Sequence, residues 1–306
     1  MSTLVFGHKS PDTDSTGSPI IWAWYLKEIQ GVDARPALLG EPNTEAAFVL
    51  KRWGLEKPEI ISDVADDQPV VIVDTNNPAE LPSNINNADI QAIIDHHKLV
   101  GGLETRGPIQ IVMQPLACTA TIMHDIIGAY LEKAPEAVKG AMLSCILSDT
   151  LEFRSPTTTP HDKAVAEKLA SELGVSIPDY AAELFAAKSD VSAFSEAELL
   201  RMDSKEYEVG GKQFRISVLE TTSPKMILDR KDALVAAMPG VAQEDGAEQV
   251  LLFVIDILNE EATLLVPNEL SKSVAEKSFG VTVSGDTVVL PGVMSRKKQI
   301  IPVLTL

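Results

Sequence analysis

Along the first half of the chain, short apolar runs alternate with longer stretches of helical period. Residues 4–7 read as a strand, and residues 16–30 as a helix behind a start rich in Ser, Thr and Asp. Residues 69–74 (Pro-Val-Val-Ile-Val-Asp) form a continuous apolar run, the pattern of a strand buried on both faces, and residues 90–95 (Ile-Gln-Ala-Ile-Ile-Asp) read as another strand of this kind. Residues 118–131, 135–147 and 161–173 carry helical length and period. Strands alternating with helices predict an α/β fold, with a mostly parallel sheet flanked by helices and joined by right-handed crossovers.

The character changes near Ser189. Residues 189–195 (Ser-Asp-Val-Ser-Ala-Phe-Ser) form a polar connector between two helix-like stretches. The expected division is therefore an N-terminal domain over 1–188, a linker over 189–195 and a C-terminal domain over 196–306. Beyond the linker, residues 214–220, 249–258 and 263–267 read as strands and 269–279 as a helix. Residues 281–290 read as a hairpin turning at Ser284-Gly285-Asp286, which makes this half a smaller α+β domain. There is no internal repeat and no low-complexity tract.

A length of 306 residues fits two domains, and 45% hydrophobic content supplies a core for each. The net charge of −18 argues against nucleic acid as a partner, because a phosphate backbone calls for a basic face. A small phosphorylated substrate stays open, since metals and a local basic cluster dominate at short range. No signal-peptide pattern opens the chain, and no apolar run nears the roughly 18 residues of a membrane span, so no membrane partner is expected. Cys118 and Cys145 lie in apolar helical segments and read as buried free thiols, which suits a reducing cytoplasm.

Candidate chemistry gathers at the ends of the predicted strands. Gly7-His8-Lys9-Ser10-Pro11-Asp12-Thr13-Asp14 places one imidazole and two carboxylates directly after the first strand. Asp74 ends Val-Ile-Val-Asp, Asp95-His96-His97 ends the next apolar run, and Asp149 follows the helical run 141–148. In a parallel sheet successive strand ends share one edge, where open α/β sheets place their ligands. Taken singly, each residue reads as readily as a helix cap or a structural histidine. Three of the five histidines nevertheless fall in these clusters, whereas His124 and His161 lie in or at the start of helices and read as structural. A donor set of oxygen and imidazole without cysteine disfavours structural zinc and suits Mn²⁺, Mg²⁺ or Co²⁺. The number of carboxylates favours two ions. Ser295-Arg296-Lys297-Lys298-Gln299 is the one run of three cations in an acidic chain and a candidate phosphate site.

Asp95-His96-His97 is the signature of the DHH phosphoesterase superfamily. The ordered set Gly7-His8-x-x-Pro11-Asp12-x-Asp14, Val73-Asp74, Asp95-His96-His97, Ser148-Asp149 and Ser295-Arg296-Lys297-Lys298-Gln299 resembles the family II inorganic pyrophosphatases across the whole chain. The resemblance implies a cytoplasmic, manganese- or cobalt-dependent enzyme. His8, Asp12, Asp74 and Asp149 would ligate one metal; Asp14, Asp74, His96 and Asp149 would ligate the other. It also implies that His97, Lys205, Arg296 and Lys297, with Lys298 beside them, meet the substrate. A homodimer through the N-terminal domain and closure of the second domain over the substrate belong to the same pattern. One departure stands out: where the family commonly has Val-Asp-His-Asn-Glu, this chain has Val73-Asp74-Thr75-Asn76-Asn77. A regulatory insertion known in some relatives has no room here.

The expected reaction is hydrolysis of pyrophosphate to two orthophosphates by a hydroxide bridging the two metals. Four carboxylates and that hydroxide leave a site with two divalent ions at about −1, so an additional Mg²⁺ is expected with the substrate. The first alternative is a DHH phosphodiesterase acting on short oligonucleotides. Such relatives usually carry a glycine-rich Gly-Gly-Gly-His-type segment, and the nearest stretch here, Gly210-Gly211, has no histidine. A haloacid-dehalogenase-like phosphatase needs Asp-x-Asp immediately after its strand, where Gly7–Pro11 intervene here. A non-catalytic metal or phosphate sensor is the alternative of a different class.

Overall fold

Strand β1 (Thr3–Phe6) is buried along its whole length in a six-stranded sheet of the first unit. The computed structural model describes residues 1–306 and divides into the units Met1–Ala187 and Lys188–Leu306. The first sheet also holds β2 (Ala34–Leu38), β3 (Glu59–Ile60), β4 (Pro69–Val73), β5 (Asp89–Asp95) and β6 (Gln110–Met113). Its order is β3-β2-β1-β4-β5-β6, and every neighbouring pair is parallel. The chain moves outward from β1 through β2 to β3, then returns to lay β4, β5 and β6 on the other side. The order therefore reverses between β1 and β4, and a crevice opens beyond their carboxyl ends.

Six helices accompany this sheet: α1 (Thr13–Trp24), α2 (Thr44–Arg52), α3 (Thr119–Ile127), α4 (Glu136–Thr150), α5 (Pro160–Leu173) and α6 (Ile177–Ser189). Helix α1 starts three residues before the sequence pattern indicated, because Asp12 caps it by accepting a hydrogen bond from the Ser15 amide. Helix α3 stops at Ile127, where Gly128 takes a positive φ and a tighter turn runs over Gly128–Lys133. Helix α4 is buried almost all round, and Asp149 lies inside its last turn rather than beyond it.

The second unit holds α7 (Glu196–Met202), β7 (Ser204–Val209), β8 (Lys212–Thr221), α8 (Pro224–Leu228), α9 (Lys231–Glu244), β9 (Gln249–Asp256), β10 (Glu261–Leu265), α10 (Glu269–Phe279) and β11 (Thr287–Pro291). Its five strands run in the order β11-β10-β9-β8-β7, parallel only between β8 and β9. Every residue of β9 is buried. Leu251, Phe253 and Ile255 join one core and Val250, Leu252 and Val254 the other, as the period of two requires. The sheet and helices match the expected α+β class, but the expected hairpin over 281–290 is absent. Ser284-Gly285-Asp286 leads into β11, which pairs with β10, while residues 281–283 pack as a loop with Val283 buried in the core. No helix is long and apolar enough to cross a membrane.

A side-chain network in the first unit joins α2, α4 and α6. Trp53 Nε1 donates to Tyr180 Oη at 2.7 Å and to Ser144 Oγ at 3.1 Å. The indole passes so close to α4 that a Cβ on Gly140 would stand 2.1 Å from the ring. Replacing an exposed helical glycine by alanine ordinarily stabilises by about 1 kcal/mol. Overpacking of this kind costs roughly 1–3 kcal/mol and sets the sign here. Gly140→Ala is therefore expected to lower the thermal midpoint by several degrees, and an unchanged or raised midpoint in a melting experiment would contradict the packing described.

Candidate metal centre

The loop after β1 is built around Gly7. A Cβ there would lie 2.1 Å from the Ser15 hydroxyl, which accepts the His8 amide hydrogen at 2.8 Å and pins the loop to α1. Asp12 Oδ1 caps α1, and its Oδ2 lies 3.6 Å from His8 Nε2. One carboxylate thus serves both the cap and the site. Asp14, in the first turn of α1, is buried; its Oδ1 accepts from Ser18 Oγ at 2.6 Å and its Oδ2 from the Thr119 amide at 2.7 Å.

Across the reversal point, Asp74 follows β4 with φ 58°, a left-handed conformation unusual for a non-glycine residue. Such strain costs roughly 1–3 kcal/mol and concentrates where a side chain must be aimed. The Asp74 carboxylate meets His8 Nε2 at 3.5 Å and His96 Nε2 at 3.4 Å. His96 Nδ1 lies 3.2 Å from the Leu116 carbonyl, an arrangement in which Nδ1–H donates and Nε2 keeps its lone pair for a cation. Asp95 points elsewhere. It is fully buried and accepts from Asn76 Nδ2 (2.6 Å), the His97 amide (3.0 Å) and His97 Nδ1 (2.9 Å). Burial works to raise the Asp95 carboxyl, but the hydrogen bonds from His97 and Asn76 prevail and hold it below its usual range. The His97 ring is half exposed and oriented by that carboxylate.

Asp149 arrives from the C-terminal turn of α4, where the helix dipole disfavours negative charge. Leu151, Glu152 and Phe153 follow it with positive φ, so the chain turns away immediately. Asp149 Oδ2 is buried without a hydrogen-bond partner. Three overlapping groups result, each with ligand atoms within 4.8 Å of one another: His8/Asp12/Asp74, Asp14/His96/Asp149 and Asp74/His96/His97.

These side chains repel. Burial first, then the charges of Asp14 and Asp12, raise both Asp74 and Asp149 well above the ordinary carboxylate range. Burial works against the His8 imidazolium, but Asp12, Asp74 and Glu80 outweigh it and lift His8 to about 9. Burial, then the charges of Asp14 and Asp149, push the Cys118 thiol well up. An orphaned buried oxygen on Asp149 and a donor set of carboxylates and imidazoles fit divalent cations that accept oxygen and nitrogen.

The basic run lies in the second unit as a wide helical turn over Arg296–Ile300. The flanking Ser295 and Gln299 shape it. Gln299 Oε1 accepts from the Met294 and Ser295 amides, its Nε2 donates to the Gly292 carbonyl, and the Ser295 hydroxyl accepts from the Lys298 amide. Arg296 is paired with Asp203, through the carbonyl at 2.8 Å and the carboxylate at 2.7 Å. Lys205 lies on β7, and Lys205, Lys297 and Lys298 are exposed. His124 and His161 pair with Asp125 instead, on α3 and α5. Sequence reasoning missed Thr119 and Glu45. Glu45 is buried and accepts from Thr13 Oγ1 and Ser148 Oγ, the neighbours of Asp14 and Asp149. No local sequence signal marks either residue, because their partners are remote in the chain.

The raised groups hold protons that a cation must displace. A raised Asp74 or Asp149 stabilises the metal-free fold at low pH, and that contribution disappears as pH climbs through its elevated pKa. His8 stabilises below its usual 6.5 and loses its effect as pH approaches about 9. The metal-free protein is thus expected to weaken with rising pH, and the gain in melting temperature on adding Mn²⁺ to grow between about pH 6 and about pH 8. Proton release should accompany binding in weakly buffered indicator solution. A gain that shrinks with pH, or binding without proton release, would contradict the electrostatics described.

Comparison with known proteins covers both units. The family model described as the DHH family, N-terminal domain, matches residues 2–149, and that of the DHHA2 domain matches residues 182–306. A Deinococcus radiodurans relative is 40% identical over 98% of this chain and 96% of its own length. A Lactobacillus acidophilus relative is 36% identical over 99% and 97%. Both are named as manganese-dependent inorganic pyrophosphatases. A Methanococcus jannaschii crystal structure, described as assigned to family II inorganic pyrophosphatase, superposes with a TM-score of 0.76 at 35% identity and covers 98% of this chain and 97% of that one. An exopolyphosphatase-related protein of Bacteroides fragilis, at 13% identity and a TM-score of 0.51, shares the fold alone. On full-length similarity at this level, with both domains matched in order, the chain belongs to the family II, manganese-dependent inorganic pyrophosphatases of the DHH superfamily.

Proposed function

We propose that this protein hydrolyses inorganic pyrophosphate to two orthophosphates with manganese in the crevice beyond β1 and β4. The observation that carries the reading is the convergence of His8, Asp12, Asp14, Asp74, His96 and Asp149 into overlapping groups in a partly buried pocket. His8, Asp12, Asp74 and Asp149 would hold one ion, and Asp14, Asp74, His96 and Asp149 the other, with Asp74 and Asp149 shared. Divalent manganese bound there supplies acidification of water and neutralisation of developing charge, the chemistry such ions bring to phosphoryl transfer.

The chain's own residues do the rest. Asp95 fixes the His97 ring through Nδ1, so Nε2 donates to a phosphate oxygen when the ring is imidazolium, the form that can pass a proton toward the departing phosphate and is left with a lone pair on Nε2. Arg296 offers a fork that Asp203 has already oriented, and Lys205, Lys297 and Lys298 add point charges for phosphate oxygens. Because the ligand carboxylates consume most of the ions' charge, pyrophosphate is taken as its magnesium complex. Residues 1–188 serve as the metal-binding and dimerisation domain, 189–195 as linker and 196–306 as the substrate-binding domain of a cytoplasmic homodimer.

The test is phosphate release from pyrophosphate with Mn²⁺ present and absent, beside a dinucleotide and a phosphomonoester. Turnover of pyrophosphate alone is expected; turnover of the dinucleotide with inert pyrophosphate would replace this reading with a phosphodiesterase, and metal binding without any turnover with a sensor. Arg296→Ala is expected to lower kcat by roughly 10²–10³ with two Mn²⁺ still bound. Loss of both ions in that variant would show that the basic turn has been misassigned.

A further inference from the structure

Two of the carboxylates in the metal centre, Asp14 and Asp74, belong to elements sixty residues apart in the chain, and one buried residue touches both. The Thr119 amide donates to Asp14 Oδ2 at 2.7 Å, and the Thr119 hydroxyl donates to Asp74 Oδ1 at 3.2 Å. We propose that Thr119 is a positioning residue for the reaction: it fixes the planes of Asp14 and Asp74 so that their free lone pairs face the two cations. The proposal rests on the metal reading above and adds a residue to it.

Nothing in local helix formation explains the arrangement. Thr119 opens α3, and its hydroxyl makes no bond to its own helix; the preceding residue, Cys118, gives no side-chain cap. The amide that would be an orphan donor at the helix start is spent on Asp14, which brings the positive end of the α3 dipole to the carboxylate cluster. Asp14 is gripped on both oxygens, by Ser18 and by Thr119, which leaves one direction on each for a cation. Asp74 has no other hydroxyl or amide donor to its carboxylate among the hydrogen bonds of the site.

Thr119 is itself held from behind. Asp162, fully buried at the start of α5, accepts from the Ala117 amide (3.2 Å), Thr121 Oγ1 (2.7 Å), and the amide and hydroxyl of Thr159 (3.0 and 2.6 Å). The residues on either side of the Cys118-Thr119 turn are therefore clamped by a single carboxylate. Residues behind metal ligands typically contribute 10–100-fold in affinity, and a clamped hydroxyl at a shared ligand falls in that class.

The experiment titrates Mn²⁺ into the metal-free full chain by calorimetry for the wild type, Thr119→Val and Thr119→Ser, with the melting temperature of each metal-free form. Valine keeps the volume and the amide but removes the hydroxyl; serine restores it. The expected result is two ions in all three, tenfold or weaker binding of at least one ion in Thr119→Val, and binding within about twofold of wild type in Thr119→Ser. Wild-type affinity in Thr119→Val overturns the proposal while leaving the metal reading intact. Tenfold weaker binding in Thr119→Ser also overturns it, and does so even if the valine variant fails to fold. A wild-type chain binding fewer than two ions overturns the metal reading, and this proposal with it.

Discussion

Four carboxylates crowded into one pocket, two of them fully enclosed, form the constraint on which the rest of the structure depends. Asp12, Asp14, Asp74 and Asp149 come from three different elements, and their mutual repulsion together with burial raises Asp74 and Asp149 well above the usual range. Buried charge of this density persists only where protons or cations compensate it. Oxygen and imidazole donors without thiolate suit hard or borderline divalent ions, and Asp149 Oδ2 is buried without a hydrogen-bond partner.

The fold delivers that crowding with ordinary means. A parallel sheet whose order reverses between β1 and β4 sends both strand ends to one crevice, and β5 adds His96 and His97 beside them. Helix ends then bias the field in opposite directions. The N-termini of α1 and α3 favour the Asp14 carboxylate, whereas the C-terminus of α4 disfavours Asp149. The left-handed backbone at Asp74, and again at residues 151–153, is local strain that tighter packing elsewhere sustains. Buried carboxylates outside the pocket, Glu45 and Asp162, tie the loops that carry the site to one another.

Much of this was legible in the sequence where a single segment carried its own signal. β4 announced itself as an unbroken apolar run because both faces of the central sheet are covered there, and β5 as a shorter one, Ala92–Ile94, behind the exposed Gln91. The acids and histidines stood out as candidates because each follows such a run. β2 was illegible: Ala34-Arg-Pro-Ala-Leu38 has little strand propensity, and parallel pairing with β1 imposes its conformation. β11 went astray for a related reason. Its alternation fits a hairpin with residues 281–283 as well as the pairing with β10 that the core selects. Thr119 and Glu45 left no trace in the sequence, since each acts on partners at least 30 residues away; Asp162 shows only the local capping pattern with Thr159, and its bonds to Ala117 and Thr121 are supplied by the fold. The pairing of Arg296 with Asp203 belongs to the same class.

The account turns on two cations sharing Asp74 and Asp149. Crystals soaked in Mn²⁺, with anomalous scattering recorded at the manganese edge, test it directly. The account predicts two peaks in each chain, one touching His8 and Asp12, the other touching Asp14 and His96, and both touching Asp74 and Asp149. A single peak, or manganese bound away from Asp74, would contradict it.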